Sequence, residues 1–375
     1  MVSGQSDARG QRSEGVNGRS DYATILTTSL LLLVGLIVLY SASAPFSLRH
    51  YGSDLHMLLR QLIAAGVGLI ALVFFARFDY HRIAQMNELL LVGSVGLSLL
   101  TLLPLGISDG LWLNLGPFPL QPTEFVKFAL VFYLATTIDR KRDRMSSFAQ
   151  GVLPFLILLG ILAAIVMSQP DLGMLIMYGA LVAAMLFVGG AQIKHLAVVG
   201  AFCVPAILAL VWIAPYRFAR LLSFLNPKAY STSSGYQIMQ SLTAIGSGGL
   251  FGRGLGASRA KLFYLPQAHN DFILAVVGEE TGLLGTVAIL ALLGLLVWRA
   301  FQIAEHAPDR LGRFVCYGIG FSVGFQALVN AGVAVGVFPV TGLTLPFVSN
   351  GGSSLLVTLG MVGVLLNVSK QGSHG

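Results

Sequence analysis

KLFYLPQAHNDFILAVVGEETG, residues 261–282, runs from a polar segment straight into an apolar helix. His269, Asn270 and Asp271 stand at the junction, and Glu279 and Glu280 lie about two helical turns further in. Ionisable groups are costly at membrane depth, so their presence marks a functional place. In a regular helix Glu279 would sit about 12 Å below Asp271 and about 80° round the axis, with Glu280 nearly opposite Asp271. The two glutamates are therefore expected to pair with buried donors and shape a cavity. The Gly278–Gly282 interval is a place where that helix can break. Asp271 reads first as a helix cap. With His269 beside it and Arg253, Arg259 and Lys261 upstream, it also reads as a carboxylate that takes a proton from a hydroxyl near cations that hold an anionic leaving group.

The rest of the chain says membrane. Of 375 residues, 55% are hydrophobic and 10% charged, against roughly 25% charged in soluble domains. Apolar runs of spanning length recur near 22–41, 57–76, 88–105, 123–138, 152–168, 172–189, 195–214, 271–299, 314–337 and 352–368. Residues 1–21 read as a disordered cytoplasmic tail, 22–368 as one transmembrane domain, and 369–375 as a second tail. Ala42-Ser-Ala44 resembles a signal cleavage site, but the first run is long and more spans follow, so it reads as a retained helix. Cys203 and Cys316 lie inside apolar runs, which indicates neither a disulfide scaffold nor a zinc site.

Basic residues set the orientation. With a cytoplasmic N-terminus, fourteen Lys and Arg fall in inside segments, and Arg49 is the one in a short outside loop. The expected fold is an all-α polytopic membrane protein of about ten transmembrane helices, with both termini cytoplasmic. A large extracytoplasmic segment, 215–270, joins spans seven and eight and is too long for an idle connection. The net charge of +7 is spread over short loops, which fits topology rather than a nucleic-acid groove.

Four outer-face constellations stand out. In GISDGLWLNLGPFPLQPTEFVK, 106–127, Trp112 suits a membrane interface, and Glu124 and Lys127 share a helix face as a structural pair or the rim of a charged-substrate site. Asp171 in SQPDLG reads as an N-cap that adds a carboxylate on the outer side. Arg217 and Arg220 can reach phosphate or lipid headgroups. Gly246–Gly256 is either a flexible re-entrant segment or an anion-cradling loop, and lacks the Gly-Lys-Ser/Thr of a nucleotide loop. The last outer loop, FPVTGLTLPFVSNGGSS at 338–354, offers hydroxyls for sugar or backbone contacts.

These motifs resemble, in order, those of the SEDS family of peptidoglycan glycosyltransferases: YSASAP at 40–45, WLNLGPFPLQPTEFVK at 112–127, QPDLG at 169–173, GYQIMQSLTAIGSGGLFGRGLG at 235–256, the opening stretch, and GLTLPFVSNGGSS at 342–354. KLFYLP and GLTLPF look more like the division branch, FtsW, than the elongation branch, RodA, while FPVTG leans the other way. The resemblance implies polymerisation of lipid II into glycan strands at the outer face of the bacterial cytoplasmic membrane. It places the essential acid on Asp271 and the substrate-lining positions on Trp112, Glu124, Lys127 and Asp171. Lys261, Arg253 and Arg217 become candidates for the undecaprenyl pyrophosphate, with His269 beside them. No cofactor is evident. A divalent cation is compatible with the chemistry, though the sequence offers no ligand set. Implied partners are lipid II, a lipid-linked glycan strand, a class B penicillin-binding transpeptidase and other divisome or elongasome membrane proteins. Gln267, Asn270, Asn350 and Leu111 depart from the family pattern. A lipid II flippase and a non-catalytic scaffold are the alternative functions.

Overall fold

The computed structural model describes residues 21–103, 106, 108–114, 119–230 and 234–372. Thirteen α-helices follow in chain order among them: α1 (Tyr22–Tyr51), α2 (His56–Arg77), α3 (Tyr80–Gln85), α4 (Asn87–Leu100), α5 (Pro122–Arg140), α6 (Leu153–Ser168), α7 (Leu172–Val188), α8 (Ile193–Ile213), α9 (Pro215–Leu225), α10 (Ser234–Gly248), α11 (Ile273–Glu305), α12 (Arg310–Ala334) and α13 (Gly352–Gly372). Each of the ten expected runs falls on one helix. Six helical stretches among the described residues are long and apolar enough to cross a membrane on their own. Of the other runs, those of α4 and α7 give shorter apolar helices, and α5 carries Glu124 and Lys127.

The core lies where α13 packs along α2, and α12 along α11 and against α5 and α7. Leu359, Val362 and Val364 of α13 are fully buried there. Ile70 and Phe74 of α2 and Leu89 and Val92 of α4 are exposed. A large exposed apolar surface of this kind is what lipid covers. Asp21, expected in the tail, instead caps α1 through Thr24 and pairs with Arg299 at 2.7 Å. Residues 1–20 of that expected tail lie outside the described residues. At the other end α13 runs on to Gly372, so 369–372 are helix and not a tail.

Two corrections concern the long segment between α8 and α11. The stretch 215–270 contains α9 and α10, and its Gly-rich part is built into α11. Gly282 breaks α11 with φ 69° and ψ −165°, which only glycine adopts at little cost. A regular helix would bond the N–H groups of residues 283 and 284 to the carbonyls of 279 and 280. Here Leu283 and Leu284 donate to the carbonyls of Gly249 and Leu250 at 2.9 and 3.2 Å. Arg253 and Gly254 donate to the vacated carbonyls of Glu279 and Glu280, both at 3.0 Å. The 249–254 loop thus replaces both lost helix bonds with four of its own, which satisfies buried backbone groups at membrane depth. Gly252 has no room for a side chain because the Glu280 backbone lies against it. Of the two readings of this loop, the Arg253 and Gly254 amides are committed to α11 and do not point at an anion.

Candidate functional site

Asp271 does not cap α11. The N-cap position is Phe272, and no side chain caps it. The last turn before the helix is instead held from outside. Asn330 of α12 donates to the Asp271 carbonyl at 3.2 Å, and Ser349 donates to the Asn270 carbonyl at 2.8 Å. Asn350 closes the same clasp by donating its N–H to the His269 carbonyl at 3.0 Å. The half-buried Asp271 carboxylate is left without a hydrogen-bond partner among the described residues. Burial pushes it up to about 6, with the Arg220 guanidinium of α9 pulling part of the way back. His269 is pushed down to about 4 by burial and by His50.

Beside this turn lies a cavity of about 400 Å³. Its walls bring together Trp112, Asn114 and Asp109 of the α4–α5 loop, His269 and Asn270, and Asn350 of the α12–α13 loop. Arg60 and Gln61 of α2 and Tyr51 of α1 complete the polar side. Aromatic rings and amides from five segments make a surface suited to a sugar. Asp271 follows directly on two wall residues and stands outside the described walls, next to Arg220.

The other expected site residues form two buried clusters. Glu124 and Lys127 pair directly, and Gln326 of α12 accepts from Lys127 at 2.9 Å. The Gln326 amide reaches Thr344 at 3.3 Å and Ser354 at 3.5 Å, tying the pair to the last loop. Asp171 caps α7 by accepting from the Met174 N–H at 3.0 Å, and accepts from Gln121 at 3.2 Å. Burial, with Glu124 nearby, pushes Asp171 up to about 6. The second cluster contains the two glutamates of α11. Glu279 accepts from Arg253 at 3.1 Å, from Ser258 at 2.6 Å, and from the N–H groups of Arg259 and Ala260. Glu280 holds Lys261 at 2.6 Å, and Ser41 of α1 donates to it at 2.7 Å. Arg253 and Lys261 are therefore already paired, and Lys261 is buried. Arg217 lies on α9, half-buried, three residues before Arg220.

Sequence reasoning passed over Arg60, Gln326 and Asn330. A signal was present in each case. Gln326 and Asn330 are polar residues four apart in a spanning helix, and Arg60 is a charge inside a span.

A family model described as "Cell cycle protein", covering FtsW, RodA and SpoVE, matches residues 22–374. The chain belongs to that family. It is similar to stage V sporulation protein E of Bacillus subtilis, with 43% identity over 94% of this chain and 98% of the relative. It is similar to a probable peptidoglycan glycosyltransferase FtsW of Trichlorobacter lovleyi, with 41% identity over 93% of both chains. A chain from a structure on the coordination of polymerization and crosslinking by a peptidoglycan synthase complex superposes with TM-score 0.76 and 30% identity. That likeness covers 93% of this chain and 97% of the other. The rod shape determining protein RodA of Thermus thermophilus superposes with TM-score 0.65 and 29% identity over 93% and 96%. Family membership and the apolar helices make this member a multi-pass membrane protein. Among the described residues no three His, Cys, Asp or Glu side chains gather as metal ligands.

Proposed function

We propose that this family member is a peptidoglycan glycosyltransferase that joins lipid-linked disaccharides into glycan strands at the outer face of the cytoplasmic membrane. The observation that carries it is the Asp271 carboxylate. It accepts no hydrogen bond among the described residues, is pushed up to about 6, and sits one residue from a sugar-sized cavity. A base titrating near the working pH transfers protons best. In the proposed step Asp271 takes the proton of the acceptor sugar's hydroxyl. The hydroxyl oxygen bonds to the donor's anomeric carbon from the face opposite the pyrophosphate. The bond from that carbon to the pyrophosphate oxygen breaks, and the pyrophosphate leaves with the electron pair, inverting the configuration. Any divalent cation assisting here would draw its ligands mainly from the pyrophosphate itself.

The similar relatives named FtsW and SpoVE support a role in division or sporulation, and the RodA neighbour supports one in elongation. The synthase-complex neighbour supports a class B transpeptidase as partner, which cross-links the new strands. The test is lipid II polymerisation by purified protein with that partner, wild type against Asp271→Asn. Loss of strands in the variant supports the reading. Translocation of lipid II without polymerisation would replace it with transport, and full complementation in cells by Asp271→Ala would replace it with a scaffold.

A further inference from the structure

Two of the cations that the sequence nominates for a phosphate group are occupied. Lys261 and Arg253 each contact a carboxylate, and Arg217 and Arg220 lie on α9, outside the described walls of the cavity. Among the described walls of the 400 Å³ cavity, Arg60 is the one permanently charged cation. Asp109 is the acid in the same walls, and Asn114 donates to it at 3.3 Å. Arg60 takes part in no ion pair among the described residues. Its one described contact is the Tyr51 ring, 5.8 Å from the guanidinium carbon. Arg60 is exposed in the first turns of α2, where a long cationic side chain reaches the membrane interface and its headgroup-level anions.

Its neighbours say what it faces. Leu59 and Ile63, beside Arg60 on α2, are 54% and 43% exposed apolar side chains, which in a membrane touch lipid. Arg60 therefore stands where a lipid-facing helix surface meets a polar, amide-lined cavity. The ligand that fits such a boundary has an apolar tail outside, an anionic group at the edge and a polar body within. The cavity volume lies in the range of about 300–1,000 Å³ usual for small-molecule sites.

We propose that Arg60 binds the phosphate of a prenyl-linked substrate, holding the anion at the mouth of the cavity while the sugar enters between Trp112 and Asn350. Guanidinium suits this task because its planar fork meets phosphate oxygens with two parallel hydrogen bonds. The proposal rests on the transferase reading for the identity of the sugar, but the phosphate contact stands on the geometry alone. Arg60 is a binding residue and takes no proton.

The experiment uses full-length wild type, Arg60→Gln and Arg60→Lys in detergent micelles. Binding of undecaprenyl pyrophosphate is measured directly, with phosphatidylglycerol as competitor, and lipid II polymerisation is followed in parallel. Arg60→Gln is expected to weaken undecaprenyl pyrophosphate binding and raise KM for lipid II by about tenfold each, with kcat little changed. Arg60→Lys should recover part of the affinity, with melting temperatures unchanged in both variants. Wild-type affinity in Arg60→Gln would overturn the proposal. So would equal displacement by phosphatidylglycerol, which would make Arg60 a general headgroup anchor. Arg60-dependent binding in a protein that never polymerises would leave the site standing and bring down the transferase reading instead.

Discussion

The side-chain amide of Asn330 donates to the main-chain carbonyl of Asp271 at 3.2 Å and to that of Leu343 at 2.8 Å. One buried residue of α12 thus ties the turn carrying the acid to the loop between α12 and α13. Four residues earlier on the same helix, Gln326 performs a similar task for the Glu124–Lys127 pair. α12 therefore registers both polar clusters against each other, and its rigidity becomes a condition for placing Asp271.

Asn330→Ala leaves one buried and one part-buried carbonyl without this donor, at a cost of about 1–3 kcal/mol of stability. Misplacing a reacting group by an ångström is costly, so polymerisation should fall by about tenfold or more at temperatures where the variant stays folded. Parallel thermal unfolding and lipid II assays check this. A variant with a lowered melting point and an undiminished rate would show that Asn330 only stabilises.

Gly282→Ala should destabilise the protein by more than about 1 kcal/mol, since its φ of 69° strains any residue with a side chain. The added Cβ would also press on the backbone of Leu250 and Gly252 and open the splice between loop and helix. Hydrogen exchange should then rise at Leu283 and Leu284, whose N–H groups are held by the loop. Unchanged exchange there would contradict the splice.

The Glu124–Lys127 pair is buried, with both side chains at most 3% exposed. Breaking it from one side strands a charge, at a cost of about 3–5 kcal/mol. Glu124→Gln and Lys127→Met should each destabilise strongly, while the double variant recovers much of the loss. A double variant as unstable as the sum of the singles would deny the pairing.

On the opposite end of the bundle, His81 contacts Asp79 at 2.8 Å and Asp309 at 2.5 Å, joining the α2–α3 turn to the α11–α12 turn. Burial pulls His81 down, but the hydrogen bonds and charges of the two carboxylates outweigh it, and the net shift is upward. A raised folded-state value means the stabilisation is fully present below the unfolded value of about 6.5 and is lost as pH rises through the folded value. The melting temperature of wild type relative to His81→Ala should therefore shrink as pH rises above neutrality. A constant gap would refute the clasp.

How much of this could be read from the residues alone differs from place to place. The long helices were legible because lipid demands long apolar runs, and even α5 was found as a helix despite Glu124 and Lys127. The glutamates of α11 were expected to meet buried donors, and they do. The break at Gly282 followed from glycine spacing. What escaped was anything decided by distant contacts. Asp271 was expected to cap its helix, but α12 holds it in a turn where Phe272 takes that position. α10 was hidden because its glycines and hydroxyls dilute the apolar signal, although its packing along α11 fixes it as a helix. Arg60 was overlooked because one charge in an apolar run says nothing about the cavity that other segments build around it.

The central claim is that Asp271 is the proton acceptor. Its raised folded value means the ionised form is disfavoured in the fold, and this penalty sets in as pH climbs from the unfolded value near 4 toward about 6. The most direct measurement is the pH profile of lipid II polymerisation, with melting temperatures, for wild type and Asp271→Asn in the presence of the transpeptidase partner. The account predicts a wild-type rate that falls as pH drops through about 6, an inactive Asp271→Asn, and a melting temperature for that variant at neutral pH no lower than wild type. Polymerisation by Asp271→Asn at the wild-type rate would contradict it.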